Sequence, residues 1–372
     1  MVSALRPITR GRPRGPLPAP STSSRVIARA PFRRDAARHN RPGRLASPSA
    51  ASADSLDYRE LLDCGTYEWQ GYKIRSAVSK SRKPGSLNVL LVHGFGASIG
   101  HFKKSIVALV DEGHSVHAID LLGFGESEKP LDYSYSMEGW RDLLVSYVKD
   151  EIVGRSGEGE AKVVIAGNSI GSLASLMAAR ALVEDSLRDS LAGVVLFNCA
   201  GGMNNAATLD DDWRIRLAYP IFALINALLK IEPVAKFLFG KFSTKENIEG
   251  VLRQVYMNQD AVDEDLVDLI HEPSTKPGAL EAFVSILTGP PGPRPEKHVP
   301  TLVAAEVPIF VLWGTTDPFT PIDGPVAKFF LDELEPAHNF VTKAVVDDVG
   351  HCPHDDRPEV VHQALMPWLS RL

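Results

Sequence analysis

From residue 66 onward, short apolar runs alternate with longer stretches of helical periodicity. Apolar runs bounded by turn residues read as strands, and apolar positions at i, i+3, i+4 and i+7 read as helices packed on one face. Strands are predicted over 67–77, Val89–Val92, Val116–Asp120, Val163–Gly167, Val194–Asn198, Ile309–Trp313 and Val341–Val346. The central runs are continuously apolar rather than alternating, which places both of their faces in a core. Such runs separated by helices predict a mostly parallel sheet with helices on both faces.

The alternation stops between Met203 and Val307. Helical patterns occupy Trp213–Leu229, Val234–Phe242, Lys245–Tyr256, Asp263–Ile270 and Ala279–Leu287, and Gly289-Pro290-Pro291-Gly292-Pro293 ends the segment as a non-helical connector. A helical insert between two strands of a parallel sheet has the placement of a cap over a site, and the alternative is helices that buttress the core. The expected division is an N-terminal segment 1–50, a core of 66–202 and 301–372, and a helical cap over 203–300.

Gly167-Asn168-Ser169-Ile170-Gly171 follows the run Val163–Ala166 and precedes a helical stretch, Ser172–Leu182. A serine at the centre of G-x-S-x-G between a strand and a helix is a nucleophile elbow. The turn crowds its flanking residues, so positions 167 and 171 call for glycine. It also sets Ser169 at a helix N-terminus, where backbone N–H groups favour developing negative charge.

A nucleophilic serine needs a base, a group that orients the base, and donors for an oxyanion. His351 follows the last strand in Val349-Gly350-His351-Cys352-Pro353 and is the expected base. His354 lies close and is expected to anchor the loop by hydrogen bonds instead. Asp317 lies four residues past the strand Ile309–Trp313 and is the expected orienting acid. Asp347 and Asp348 compete, but they fall close to His351 in sequence and suit a solvated loop. The amide of Ile170 and that of Phe95, with Gly96 as the near alternative, are the expected oxyanion donors. His93 is expected to stabilise its loop. The order Ser, Asp, His is that of α/β-hydrolases. The expected fold is theirs, with the cap inserted after the sixth strand of that fold, here Val194–Asn198, the fifth of the strands predicted above.

Composition narrows the picture further. Residues 1–50 hold eleven arginines and one acid, Asp35, for a charge of +10, whereas the remaining chain sums to −16. An Arg- and Ser-rich, acid-poor N-terminus resembles an organellar transit peptide, and the alternative is a basic tail, including one that binds nucleic acid. No apolar run reaches the ~18 residues of a membrane span. Cys64, Cys199 and Cys352 have neither metal-ligand nor disulfide spacing, and Cys352 reads as a packing residue. Asp120-Leu121-Leu122-Gly123-Phe124-Gly125-Glu126-Ser127 lacks the glycine and lysine pattern of nucleotide loops. No metal or other cofactor is therefore expected.

Serine rather than aspartate at the elbow argues against dehalogenase and epoxide-hydrolase chemistry. It suits hydrolysis of an ester or thioester, or of a C–C bond in a ketone. The apolar stretch Tyr219–Leu229 suggests a bulky apolar substrate.

Several segments carry a closer resemblance. Leu90–His101, Asp120–Ser127 and Gly167–Ser172 resemble plastid α/β-hydrolases of plants and algae. Leu196-Phe197-Asn198-Cys199-Ala200-Gly201-Gly202-Met203-Asn204-Asn205, Asp212–Arg216 and Ala282–Pro293 are similar to the chlorophyll dephytylases. The resemblance covers roughly 66–372. It implies hydrolysis of the phytyl ester of chlorophyll to chlorophyllide and phytol, in the chloroplast, with peripheral contact to thylakoid membranes. Pheophytinases share Gly350-His351-Cys352-Pro353-His354-Asp355 and act on magnesium-free pigment, whereas Cys199–Asn205 favours the dephytylases. Gly314-Thr315-Thr316-Asp317 departs from many relatives, which carry an acid directly after the glycine. A ligand receptor that retains the same three residues is the competing reading outside enzymes.

Overall fold

Residues 57–80, 86–156, 161–209 and 213–372 are described by a computed structural model of the chain. The N-terminal segment 1–50 and its expected role as a transit peptide lie outside the described residues. The strands are β1 (Leu62–Trp69), β2 (Tyr72–Ser79), β3 (Asn88–Val92), β4 (Ser115–Ile119), β5 (Val163–Asn168), β6 (Leu191–Phe197), β7 (Ile309–Gly314) and β8 (Val341–Val346). They form one sheet in the order β1-β2-β4-β3-β5-β6-β7-β8. From β4 to β8 every pairing is parallel, while β2 runs antiparallel to both β1 and β4.

The predicted strand over 67–77 is thus two strands. The chain reverses at Gln70-Gly71, where both residues have positive φ (50° and 83°), as a two-residue hairpin turn requires. The mostly parallel sheet is as expected, and the hairpin adds its antiparallel edge.

The main helices are α1 (Lys103–Glu112), α2 (Met137–Tyr147), α3 (Ile170–Glu184), α4 (Trp213–Leu229), α5 (Glu232–Phe242), α6 (Lys245–Val255), α7 (Glu264–Ser274), α8 (Ala279–Thr288) and α9 (Pro358–Leu369). The period-2 geometry of the strands divides their apolar runs between two cores. Leu90, Val92, Val163, Ile165, Val194 and Leu196 face α2 and α3. Val89, Leu91, Val164, Ala166, Val195 and Phe310 face α1 and α9. This two-sided burial is why the runs are continuous rather than alternating.

Helices α4 to α8 lie between β6 and β7 and belong to the same compact unit as the sheet, Ala53–Leu372. Their starts follow ordinary capping chemistry. Thr244 Oγ1 accepts from Asn247 N at the start of α6, and the Asp263 carboxylate accepts from Leu266 N at 2.7 Å at the start of α7. The register sets Val92 of β3, Gly167 of β5, Leu196 of β6 and Val311 of β7 in one row. The loops that follow these strands therefore emerge along one edge of the sheet, where open parallel sheets place their sites.

Candidate active site

Ser169 sits between the last residue of β5 and the first of α3, with φ 57° and ψ −122°. A side chain held at positive φ costs about 1–3 kcal/mol and persists only where its surroundings fix it. Here they do. Ser169 N donates to Phe197 O at 3.0 Å, and Ala200 N donates to Ser169 O at 3.1 Å. Ser172 Oγ donates to Gly167 O at 2.6 Å and spans the turn. A Cβ on Gly167 would lie 2.3 Å from the Gly171 carbonyl, and one on Gly171 would lie 2.3 Å from Val92 O. The two glycines thus permit different contacts. Gly167 lets the turn close on itself, and Gly171 lets α3 pass against the end of β3.

His351 and Ser169 line the same cavity. Asp317 is buried behind the histidine ring, and His351 Nδ1 donates to Asp317 Oδ2 at 2.8 Å. That bond leaves His351 Nε2 as the ring's acceptor nitrogen. The Asp317 carboxylate is fully engaged. Oδ1 accepts from Phe319 N at 2.7 Å and Thr320 N at 3.0 Å, and Oδ2 also accepts from Asn198 Nδ2 at 2.6 Å and from the Thr320 hydroxyl. Burial pushes this carboxyl up. The charge of His351 and the hydrogen bonds from His351, Thr320 and Asn198 outweigh that, and its pKa falls well below the usual carboxylate range. Asp347 and Asp348 are exposed, and the carboxylate bonded to His351 is that of Asp317.

Phe95 and Ile170 also line the cavity, with Gly96 beside them. The loop after β3 runs close against the elbow, since a Cβ on Gly94 would lie 3.3 Å from Ser169 Cβ. His93 fixes that loop as expected: Nδ1 donates to Gly94 O at 2.7 Å, and Nε2 accepts from Leu121 N at 3.0 Å. Burial lowers the His93 pKa to about 4, which keeps the ring neutral. Asp120 ties the next loop in, accepting from Ile99 N at 2.6 Å and Glu126 N at 2.7 Å.

His354 departs from expectation. It makes no hydrogen bond through either ring nitrogen. It stacks on Phe102 at 4.3 Å and faces Phe197 at 5.8 Å, and so packs the loop as an aromatic group. Cys352 is buried beside Val255 and Leu252, and burial raises its thiol well above the ordinary value, in keeping with a packing role.

Two supporting residues, Asn198 and Asp356, were not legible in the sequence, and a third, Asn168, was read there only as part of the elbow. Asn198, at φ 45° just past β6, holds Asp317 through Nδ2 and accepts from Gly314 N through Oδ1 at 3.2 Å. Asn168 Nδ2 donates to His351 O at 2.9 Å and links the elbow to the histidine loop. Asp356 is fully buried. It accepts from Gly350 N at 2.8 Å, Met257 N at 3.1 Å and Asn258 N at 2.7 Å, fastening the end of α6 to the His351 loop. His351 N donates to Val255 O at 3.0 Å across the same seam. The available signals were an Asn at a strand end, which tolerates left-handed backbone, and an acid five residues beyond His351.

The cavity measures about 970 Å³. Its far wall comes from α4 to α8, with Phe222, Leu229, Phe239, Leu252 and Phe283 among its apolar residues. Phe283 packs against Phe239 at 5.1 Å and Phe95 at 6.0 Å, which joins that wall to the loop after β3. Among the described residues no cluster of His, Cys, Asp and Glu is arranged to hold a metal ion.

A family model described as the alpha/beta hydrolase family matches residues 89–364. The chain belongs to the alpha/beta hydrolase family. The hydrolase is 26% identical over 322 residues to the chloroplastic pheophytinase of Arabidopsis thaliana, covering 76% of this chain and 61% of that protein. It therefore spans less than two thirds of that relative's length. It is 22% identical over 287 residues to a 2-hydroxy-6-oxo-6-(2'-aminophenyl)hexa-2,4-dienoic acid hydrolase of Metapseudomonas resinovorans, covering 76% of this chain and 84% of that one. A bacterial membrane phospholipase A of known structure superposes with a TM-score of 0.62 at 20% identity, over 84% of this chain and 88% of that chain. This last likeness concerns the fold.

Proposed function

We propose that the hydrolase cleaves the phytyl ester of chlorophyll to chlorophyllide and phytol through an acyl-enzyme on Ser169. The observation that carries this reading is one apolar cavity lined by Ser169 and His351, with Asp317 bonded to His351 Nδ1 behind it. In the proposed reaction Ser169 Oγ attacks the ester carbonyl and His351 Nε2 takes its proton. The oxyanion forms against the Phe95 and Ile170 amides. His351 then returns the proton to the departing phytol oxygen, water enters, and the same exchange releases the acid. Asp317 holds the ring in the required tautomer and offsets its charge.

The substrate assignment is supported by cavity size and lining. About 970 Å³ lies at the upper end of the range for small-molecule sites, and its apolar wall suits a long branched alcohol. The pheophytinase relative supports a pigment ester over the oxo-dienoic acid for which the other relative is named. It also favours a second reading in which the pigment lacks magnesium. Residues 203–300 then act as the cap over the site. The N-terminal 50 residues would direct the chain to the chloroplast, and the enzyme would meet its substrate at the thylakoid surface. Among the described residues no helix is long and apolar enough to cross a membrane.

The test is incubation of the full chain with chlorophyll and with pheophytin separately, with phytol release measured from each. Release from chlorophyll that vanishes in Ser169→Ala is expected. Release from pheophytin alone selects the second reading. Turnover of a generic aryl ester without phytol from either pigment would reject a phytyl ester. Stoichiometric binding without turnover of any ester would select a receptor.

A further inference from the structure

Helix α4 forms a wall one helix thick between the cavity and solvent. Tyr219, Phe222, Asn226 and Leu229 line the cavity. Leu217, Ile221 and Leu224 are 74%, 63% and 60% exposed. Spaced by four and three residues, these three project within about 60° of one another and form one apolar stripe away from the cavity side. Ile231, just before α5, and Phe237 on α5 extend the exposed apolar surface. Soluble chains rarely leave contiguous apolar patches uncovered.

Charge identifies what covers it. Residues 213–242 carry five basic residues (Arg214, Arg216, Lys230, Lys236 and Lys241) and one acid, Glu232, for +4 in a chain whose residues 51–372 sum to −16. Arg216, Lys230 and Lys241 are exposed beside the apolar side chains. We propose that the outward face of α4 and α5 docks on a lipid bilayer that carries anionic headgroups. The apolar side chains enter the boundary between headgroup and acyl chain, and the basic ones meet the headgroups. A second copy of the chain would set two such basic segments against each other.

The surface is continuous with the cavity mouth. Tyr219, Ile225, Phe242 and Val251 are both exposed and part of the cavity wall. Docked by this face, the enzyme receives an apolar substrate from the bilayer along an apolar rim. The inference rests on the proposed function only in taking the substrate to be lipid-borne.

The experiment uses the full chain with vesicles of phosphatidylcholine containing a minority of phosphatidylglycerol, read by amide hydrogen exchange so that any contact is located. Vesicles are expected to slow exchange in 213–242. The triple variant Leu217→Ser, Ile221→Ser, Leu224→Ser should lose that protection, and its vesicle affinity in high salt should fall on the order of tenfold or more. Its turnover of a soluble aryl ester should equal that of the wild type, because none of the three lines the cavity. Vesicle binding with unchanged exchange in 213–242 would overturn the proposal. So would protection that rises with protein concentration in the absence of lipid, which marks a second copy. Loss of phytol release with docking intact would refute the substrate and leave the docking face standing.

Discussion

Replacing Asp317 by Asn tests the geometry of the site at its most constrained atom. Oδ1 accepts two backbone N–H groups, from Phe319 and Thr320, which fixes it as the oxygen of the new amide. The amide NH2 is thereby forced into the Oδ2 position. There it meets Asn198 Nδ2 at 2.6 Å, the Thr320 hydroxyl and His351 Nδ1 at 2.8 Å. Facing a donor, Nδ1 becomes an acceptor and the proton moves to Nε2. The ring then has no lone pair for the Ser169 proton. Loss of the correct tautomer in a Ser-His-Asp site costs about 10⁴ in kcat, or ~5.5 kcal/mol of barrier. The donor–donor contact with Asn198 costs the fold about 1–3 kcal/mol. The assay is kcat and KM on a soluble aryl ester beside a denaturant titration. Expected are a kcat lowered by three to four orders of magnitude, a nearly constant KM, and a folded protein. A loss below tenfold, or an equal loss in Asp347→Asn, would refute the reasoning.

Gly171→Ala sets a methyl group 2.3 Å from Val92 O and 2.4 Å from His93 O, both backbone atoms that cannot swing aside. A loss of at least about 3 kcal/mol is expected in chemical denaturation. Asp356→Asn keeps its oxygen toward the Gly350 and Met257 amides and turns its NH2 on the Asn258 amide, donor against donor, so about 1–3 kcal/mol is lost, and exchange should quicken at 256–258 and 350–351 together. Acid should weaken the fold. His93, His298 and His362 are pushed by burial from 6.5 to about 4, so their stabilisation is complete above pH 6.5 and lost as pH falls towards 4. For fully buried His93 that amounts to at most about 3 kcal/mol. Asp120, pushed by burial from 3.8 up to about 6, acts in the opposite direction over that interval. The denaturation midpoint should still drop between pH 7 and pH 4.5, and a flat or rising profile would contradict this.

The central strands and inserted helices were legible because their signals are local. A strand buried on both faces is apolar throughout, and the insert's helices carry caps such as Thr244 and Asp263 within a turn of their starts. The first hairpin was missed because Trp69 and Tyr72 flank Gln70-Gly71 with aromatic residues and carry the apolar pattern across the turn. Ser169, Asp317 and His351 stood out because each follows a strand in a recognisable order. Their supports did not. Asn198 reaches Asp317 across 119 positions, and Asp356 reaches Asn258 across 98. His354 was assigned hydrogen bonds because histidine commonly makes them, whereas its actual neighbours are Phe102 and Phe197, which only the fold brings together.

The central claim is that Ser169 becomes acylated by a phytyl ester. It is tested most directly by quenching the enzyme with acid during turnover of pheophytin or chlorophyll, digesting it, and measuring peptide masses. The account predicts the pigment acid in ester linkage on the peptide that contains Ser169, with none in Ser169→Ala. Phytol released while that peptide stays unmodified and the adduct sits on another residue would contradict it.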